Sequence, residues 1–252
     1  MKRILLTIAY DGTNYNGWQS GSTGKSIESV LNNKISKLLS EDIKVYGASR
    51  TDAGVHAKCN LAIFDTNCDV RADKIYYGIN TLLPNDIAIV LSKEVDLDFN
   101  IRKINTKKTY DYYLHVAKVR DPLKNRYAHF VYYDVDVDKM IKASKFLIGE
   151  HDFKSFINPE SNAIIEHKST VRNIYDIVIT KDESTDIVDI KIIGNGFLYN
   201  MVRIICGTLL KIGMGMWEVD YIKEIMDKKD RKFAGFTLPA CGLCLSNIEI
   251  LD

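Results

Sequence analysis

The spacing of apolar residues along the chain predicts an alternation of strands and helices. Residues 2–10 are apolar and β-prone and predict a strand. Ser26 can cap a helix in which Ile27, Val30, Leu31, Ile35, Leu38 and Leu39 share one face at 3.6-residue spacing. Short strands are expected over residues 44–48 and 60–66. A helix is expected over 71–83, stopping before Pro84, and a strand over 87–95. Strand, helix, strand, strand, helix, strand is the order of a split βαβ, ferredoxin-like unit.

The second half repeats the theme loosely. Strands are predicted over 109–117 and 128–137, and a helix over 138–148 closed by Gly149. A hairpin is predicted from 171–181 and 186–193, turning at 182–185. Helices follow over 200–212 and 219–228, and a closing strand over 242–251. The fold class expected is α+β: two ferredoxin-like halves, residues 1–105 and 106–252, each a mixed or antiparallel sheet flanked by helices. A cleft between the halves is the natural place for an active site. Residues 100–108 are polar and basic and suit a connector.

Composition narrows the class. Of 252 residues, 46% are hydrophobic and 27% charged, with 34 Lys+Arg against 33 Asp+Glu. That balance argues against disorder. Five cysteines are too few, and odd in number, for a disulfide scaffold. No apolar run reaches the ~18 residues of a membrane helix. The basic start, Met1-Lys2-Arg3, leads into a short apolar stretch without a cleavage site, so a soluble protein of a reducing cytoplasm is expected. Charge is even along the chain: 13 Lys+Arg against 12 Asp+Glu up to Asn105, and 21 against 21 beyond it. Any nucleic-acid surface must therefore be local. Lys118, Arg120, Lys124 and Arg126 form one basic cluster, and Lys228, Lys229, Arg231 and Lys232 another.

Two motifs are decoys. Gly21-Ser22-Thr23-Gly24-Lys25-Ser26 ends like a phosphate-binding loop, but Gln19 stands where that motif needs its first Gly. It is read as a glycine-rich loop and helix cap, with a nucleotide-binding protein as the runner-up function. Cys241 and Cys244 have the spacing of a zinc knuckle but lack a second close ligand pair, so no metal is expected. His115 and His129 are read as satisfied or partly exposed sheet residues, and His151 as making a local turn bond.

The informative stretch is Gly47-Ala48-Ser49-Arg50-Thr51-Asp52-Ala53-Gly54-Val55-His56-Ala57. A strand enters it and another leaves, with a tight turn at Asp52 and Gly54. As a loop it need only close on itself. As a site it presents a carboxylate and a guanidinium two residues apart, with no cofactor motif beside them. Such chemistry suits attack at, or stabilisation of, a sugar carbon while a glycosidic bond breaks.

The same stretch resembles the active-site motif of the tRNA pseudouridine synthase A family. The resemblance runs nearly the full length. It takes in Tyr10-Asp11-Gly12, Tyr15 and Gly17-Trp18-Gln19, then Asp98-Phe99 with Arg102, and residues 108–112. It continues in residues 149–153, in residues 196–203 with Gly207, and in Pro239-Ala240 with Gly242-Leu243. Glu28, the small loop at 21–25 and the two late cysteines depart from the pattern and leave the target RNA open.

The resemblance implies that uridine in RNA becomes pseudouridine without metal, nucleotide or other cofactor. It implies Asp52 as the catalytic carboxylate, Arg203 as its cationic partner, and Tyr110 as packing on the base and helping to remove the C5 proton. Arg50 is matched to the residue that fills the gap left by the flipped nucleotide, and Leu243 to an apolar residue against the base. Three routes are compatible with the carboxylate: attack on C1′, attack on C6, or a glycal. The implied substrate is the anticodon stem–loop of tRNA at uridines 38 to 40, bound across a cytoplasmic homodimer with no membrane attachment. Residues 102–108, 118–126 and 228–232 are expected to touch phosphates. A protein on the same scaffold that only binds RNA is a third reading. It is disfavoured because binding alone needs no buried carboxylate facing an anion.

Overall fold

The computed structural model of the chain describes residues 1–19 and 25–251. The chain forms two compact units. One contains Met1–Asn105 and the stretch from Cys244 onward; the other is Thr106–Leu243. Both mix strands and helices.

In the first unit, β1 (Lys2–Tyr10) is the central strand, as its dense apolar content requires. Helix α1 (Ile27–Leu39) follows. Ser26 Oγ accepts from the Ser29 amide and Ser29 Oγ from the Ser26 amide, both at 3.1 Å, a reciprocal cap. Ile27, Val30, Leu31 and Ile35 are its buried face. Then come β2 (Tyr46–Gly47), β3 (His56–Thr66), α2 (Ile75–Asn80) and β4 (Ile87–Val95). The sheet order is β4-β1-β3, with β2 on the far edge of β3. The antiparallel register runs from Lys2 opposite Thr66 to Tyr10 opposite Ala57, so the end of β1 lies beside the start of β3.

The second unit holds β5 (Thr106–Val116), β6 (His129–Val131), α3 (Val137–Ser144), β7 (Gly149–Asp152), α4 (Asn162–Ile165), β8 (Val171–Asp182), β9 (Ile187–Gly194), α5 (Met201–Gly213) and α6 (Tyr221–Lys228). Its order is β5-β9-β8-β7, all antiparallel, with β6 parallel on the other edge of β5. Alternation along β5 and β9 sends Tyr112, Leu114, Val188, Ile190 and Ile192 into the core. Helices α3 and α5 pack on each other and against this sheet.

The last strand, β10 (Leu243–Ile250), begins where the second unit ends. It pairs parallel to β3, Cys244 with His56 and Leu245 with Ala57, and the Leu251 amide donates to Asn105 O at 2.9 Å. The sequence pattern assigns this strand to the second half; it lies with the first unit.

Other boundaries also move. The expected helix over 71–83 contracts to α2 with a 3-10 turn at Ala72–Lys74 before it. The expected strand over 128–137 shrinks to β6, because Tyr132 and Tyr133 face solvent and Asp136 caps α3 at the Lys139 amide. Residues 149–152, to which the sequence pattern assigns no strand, pair with β8 as β7. Among the described residues no helix is long and apolar enough to cross a membrane.

Candidate active site

In the first unit the 47–57 stretch runs from the end of β2 to the start of β3. Gly54, at φ +78, turns the chain so that the Val55 amide reaches Asp52 O at 3.2 Å. The loop is then fastened from outside. The Trp18 amide donates to Thr51 O at 3.0 Å and the Gly54 amide to Tyr15 O at 3.2 Å. Two glycines let the segments touch: a Cβ on Gly12 would lie 2.0 Å from Val55 O, and one on Gly17 would lie 2.4 Å from Thr51 O.

Buried side chains complete the clamp. Tyr10 Oη and Thr51 Oγ1 are 2.8 Å apart. Asn60 donates to Ser49 O at 3.0 Å and to Tyr10 Oη at 3.3 Å. His56 Nδ1 accepts from the Gly12 amide at 3.1 Å. Tyr15 donates to Asp86, and burial together with that carboxylate raises its pKa. On this frame Asp52 is half-buried and Arg50 is exposed. The main chain that carries the Asp52 carboxylate is thereby fixed on both sides.

The second unit carries the other three residues picked from sequence. Tyr110, on β5, is buried, with the Phe197 ring edge-on at 5.3 Å between centroids. Two residues earlier, burial lowers the pKa of Lys108, and the nearby Arg172 lowers it further. Arg203 is half-buried in the first turn of α5. Its Nε donates to Leu238 O at 2.6 Å and its Nη1 to Asn200 Oδ1 at 3.0 Å. Leu243 is buried at the head of β10.

The basic segments are partly engaged within the protein. Arg102 sits over the Tyr46 ring, Lys118 pairs with Asp134, and Lys124 reaches Thr185 O. Lys229 pairs with Asp152, and Arg231 donates to Ala234 O and Thr237 Oγ1. Of the phosphate-loop decoy, Gly21 to Gly24 lie outside the described residues. Its Lys25 lies 5.1 Å from the Tyr15 ring centroid, and Ser26 caps α1. Cys241 and Cys244 are free thiols, and among the described residues no three His, Cys, Asp or Glu gather as a metal site would require. His151 makes its local bond, Nε2 to Ile148 O at 3.0 Å. His115 differs from expectation: it is buried, and its Nδ1 has no hydrogen-bond partner among the described residues.

Sequence reasoning passed over Thr51, Asn60 and Leu238. Asn60 is buried directly before the apolar run 61–64 of β3, which was the available signal. Leu238 acts through its carbonyl, which no side-chain pattern announces.

Residues 6–102 and 143–249 match the family model described as tRNA pseudouridine synthase. Arg50, Asp52, Arg203 and Leu243 fall inside the matched stretches, and Tyr110 falls between them. The protein named tRNA pseudouridine synthase A from Thermoanaerobacter sp. (strain X514) is 40% identical over 248 residues, 98% of this chain and 99% of the relative. One named tRNA pseudouridine synthase A 2, from Clostridium perfringens (strain 13 / Type A), is 42% identical with the same coverage. A tRNA pseudouridine synthase A from Caldicellulosiruptor bescii is also 42% identical, again over 98% and 99% of the two chains.

Proposed function

The chain belongs to the tRNA pseudouridine synthase family and is an isomerase acting on tRNA; from that premise we propose that it converts uridines 38 to 40 of the anticodon stem–loop, with Asp52 as the acting carboxylate. The observation that carries this reading is the clamp on the Asp52 loop. Tyr15, Gly17 and Trp18 meet its backbone and Tyr10 meets the Thr51 hydroxyl, all four being part of the family resemblance, and the loop they fasten carries a half-buried acid.

The reaction is an isomerisation. The N1–C1′ bond breaks, the uracil turns over, and C5 bonds to C1′; the C5 hydrogen leaves as a proton and N1 gains one. The target nucleotide must leave the stack first, because C1′ and N1 are inaccessible inside a stem. In the proposed assignment Arg203 favours the ionised form of Asp52 and orients it. Tyr110 packs on the extruded base and assists loss of the C5 proton. Arg50 occupies the vacated position in the RNA, and Leu243 lies against the base. Attack on C1′, attack on C6 and a glycal route all remain compatible with one carboxylate. We read the strand orders of the two units as ferredoxin-like halves, and place the enzyme in the cytoplasm as a homodimer with one tRNA across both subunits.

The test is incubation with unmodified tRNA transcript followed by chemical mapping of pseudouridine. Product is expected at 38 to 40 without added metal or nucleotide; a requirement for ATP or GTP would restore the nucleotide-binding alternative. Asp52→Asn should abolish product and retain tRNA binding, and normal turnover by that variant refutes its role. Arg203→Ala should cut turnover sharply. A solution mass of a single chain at working concentration overturns the dimer.

A further inference from the structure

The guanidinium of Arg203 is fixed by a segment far from it in sequence. After α6 the chain turns at Lys229, passes the 3-10 turn Arg231–Phe233, and lays residues 234–238 along α5. The approach is backbone to backbone. A Cβ on Gly207 would lie 2.0 Å from Phe236 O, and one on Gly235 would lie 2.5 Å from the Thr208 nitrogen. Thr208 is fully buried, and its hydroxyl joins the two elements. It donates to Ile204 O at 2.8 Å and accepts from the Gly235 amide at 2.9 Å. At the end of the segment the Leu238 amide donates to Arg203 O at 3.4 Å, and Leu238 O receives Arg203 Nε at 2.6 Å. Asn200, at φ +62, supplies the second acceptor at Nη1.

Covering the apolar face of α5 would need only side chains such as Ala234 and Leu238. Two facing glycines and a bridging hydroxyl are needed only if the main chain must touch the helix. That closeness is what delivers a carbonyl to Nε. An arginine side chain is otherwise free to sample many rotamers. Two directed acceptors on Nε and Nη1 set the plane of its head before substrate arrives. We infer that residues 234–238 are a strap that holds Arg203 in its working rotamer, and that Gly207 and Thr208 are positioning residues for the reaction. The inference rests on the proposed role of Arg203.

The test compares Thr208→Val, Thr208→Ser, Gly207→Ala, Arg203→Ala, Arg203→Lys and the Arg203→Lys, Thr208→Val double variant in steady-state turnover of tRNA, per folded enzyme. Thr208→Val keeps the volume and removes the hydroxyl. It should lower kcat on the order of tenfold or more with KM for tRNA little changed. Thr208→Ser keeps the hydroxyl and should restore kcat. Gly207→Ala should lower kcat at least as far; if it does not fold, the Thr208 pair decides. In an Arg203→Lys background, Thr208→Val should cause little further loss, since both act through one group. The strap is overturned if Thr208→Val turns over normally, if the Val and Ser variants fall alike, or if the loss persists in the Arg203→Lys background. An inactive Arg203→Ala beside fully active Thr208→Val and Gly207→Ala sinks the strap alone. A fully active Arg203→Ala sinks the proposed role of Arg203 and the strap with it.

Discussion

Replacing Gly17 with alanine tests whether the Asp52 loop is held from outside. Gly17 has φ +85, where an L-residue costs about 1–2 kcal/mol. The new Cβ would lie 2.4 Å from Thr51 O and 3.0 Å from the Asp52 carbonyl carbon, both main-chain atoms. Ordinary contact begins at 3.4 Å, so the loop must retreat by about 1 Å. That retreat strains the 3.0 Å bond from the Trp18 amide to Thr51 O, and losing a bond of this kind costs about 1–3 kcal/mol. The sum is about 2–5 kcal/mol, or roughly 4–20 °C in Tm at about 2–4 °C per kcal/mol. A 1 Å displacement of reacting groups lowers the rate on the order of a hundredfold.

Gly215→Ala is the control. Its φ is +71, yet a Cβ there meets nothing within 4 Å, so it carries the backbone cost alone. Calorimetry and single-turnover pseudouridine formation, both per folded molecule, should show Gly215→Ala losing a few degrees and no activity. Gly17→Ala should lose both. If the two variants behave alike in rate, the clamp has no hold on Asp52 and the reasoning fails.

Other expectations follow from single contacts. Tyr10→Phe removes the hydroxyl shared by Thr51 and Asn60 and should cost about 1–3 kcal/mol by denaturant unfolding; an unchanged midpoint would show the bond to be idle. Ser26→Ala breaks the reciprocal cap of α1 and should cost about 1 kcal/mol, with Gly in its place losing only a few tenths. The two-pronged hydrogen bond from Arg3 holds the Asp65 carboxyl below the usual range. Its folded pKa is thus below its unfolded one. The stabilisation is complete above about pH 4 and fades as pH falls through the folded value. The Tm difference between wild type and Arg3→Met should therefore narrow below that pH, and a constant gap would exclude the ion pair as its source.

The apolar, β-prone runs delimit β1 and β4 at both ends, because each stops at an aspartate, Asp11 or Asp96. The Ser26 cap likewise marks the start of α1. Pattern fails where tertiary pairing overrides it. Strand β3 begins at His56 and not near Asn60, since His56 and Asn60 are buried by bonds to Gly12, Ser49 and Tyr10 that alternation cannot foresee. Strand β7 exists because β8 lies beside it. The Asp52 loop stood out in the sequence through its resemblance to a family motif. Its clamp did not, since Tyr10 and Thr51 meet across 41 residues through the register of β1 on β3.

Strand β10 also sets an order on biosynthesis. Its partner on β3, at His56 and Ala57, leaves the ribosome long before residues 244 and 245 are made. The nascent first unit therefore waits with an open strand edge throughout synthesis of the second unit, which is continuous in sequence. Translation stopped anywhere inside the second unit would strand that edge beside the carboxylate loop. Messages read short should thus yield protein prone to edge-to-edge aggregation and proteolysis, and chains gain a finished N-terminal unit only when translation reaches the last strand.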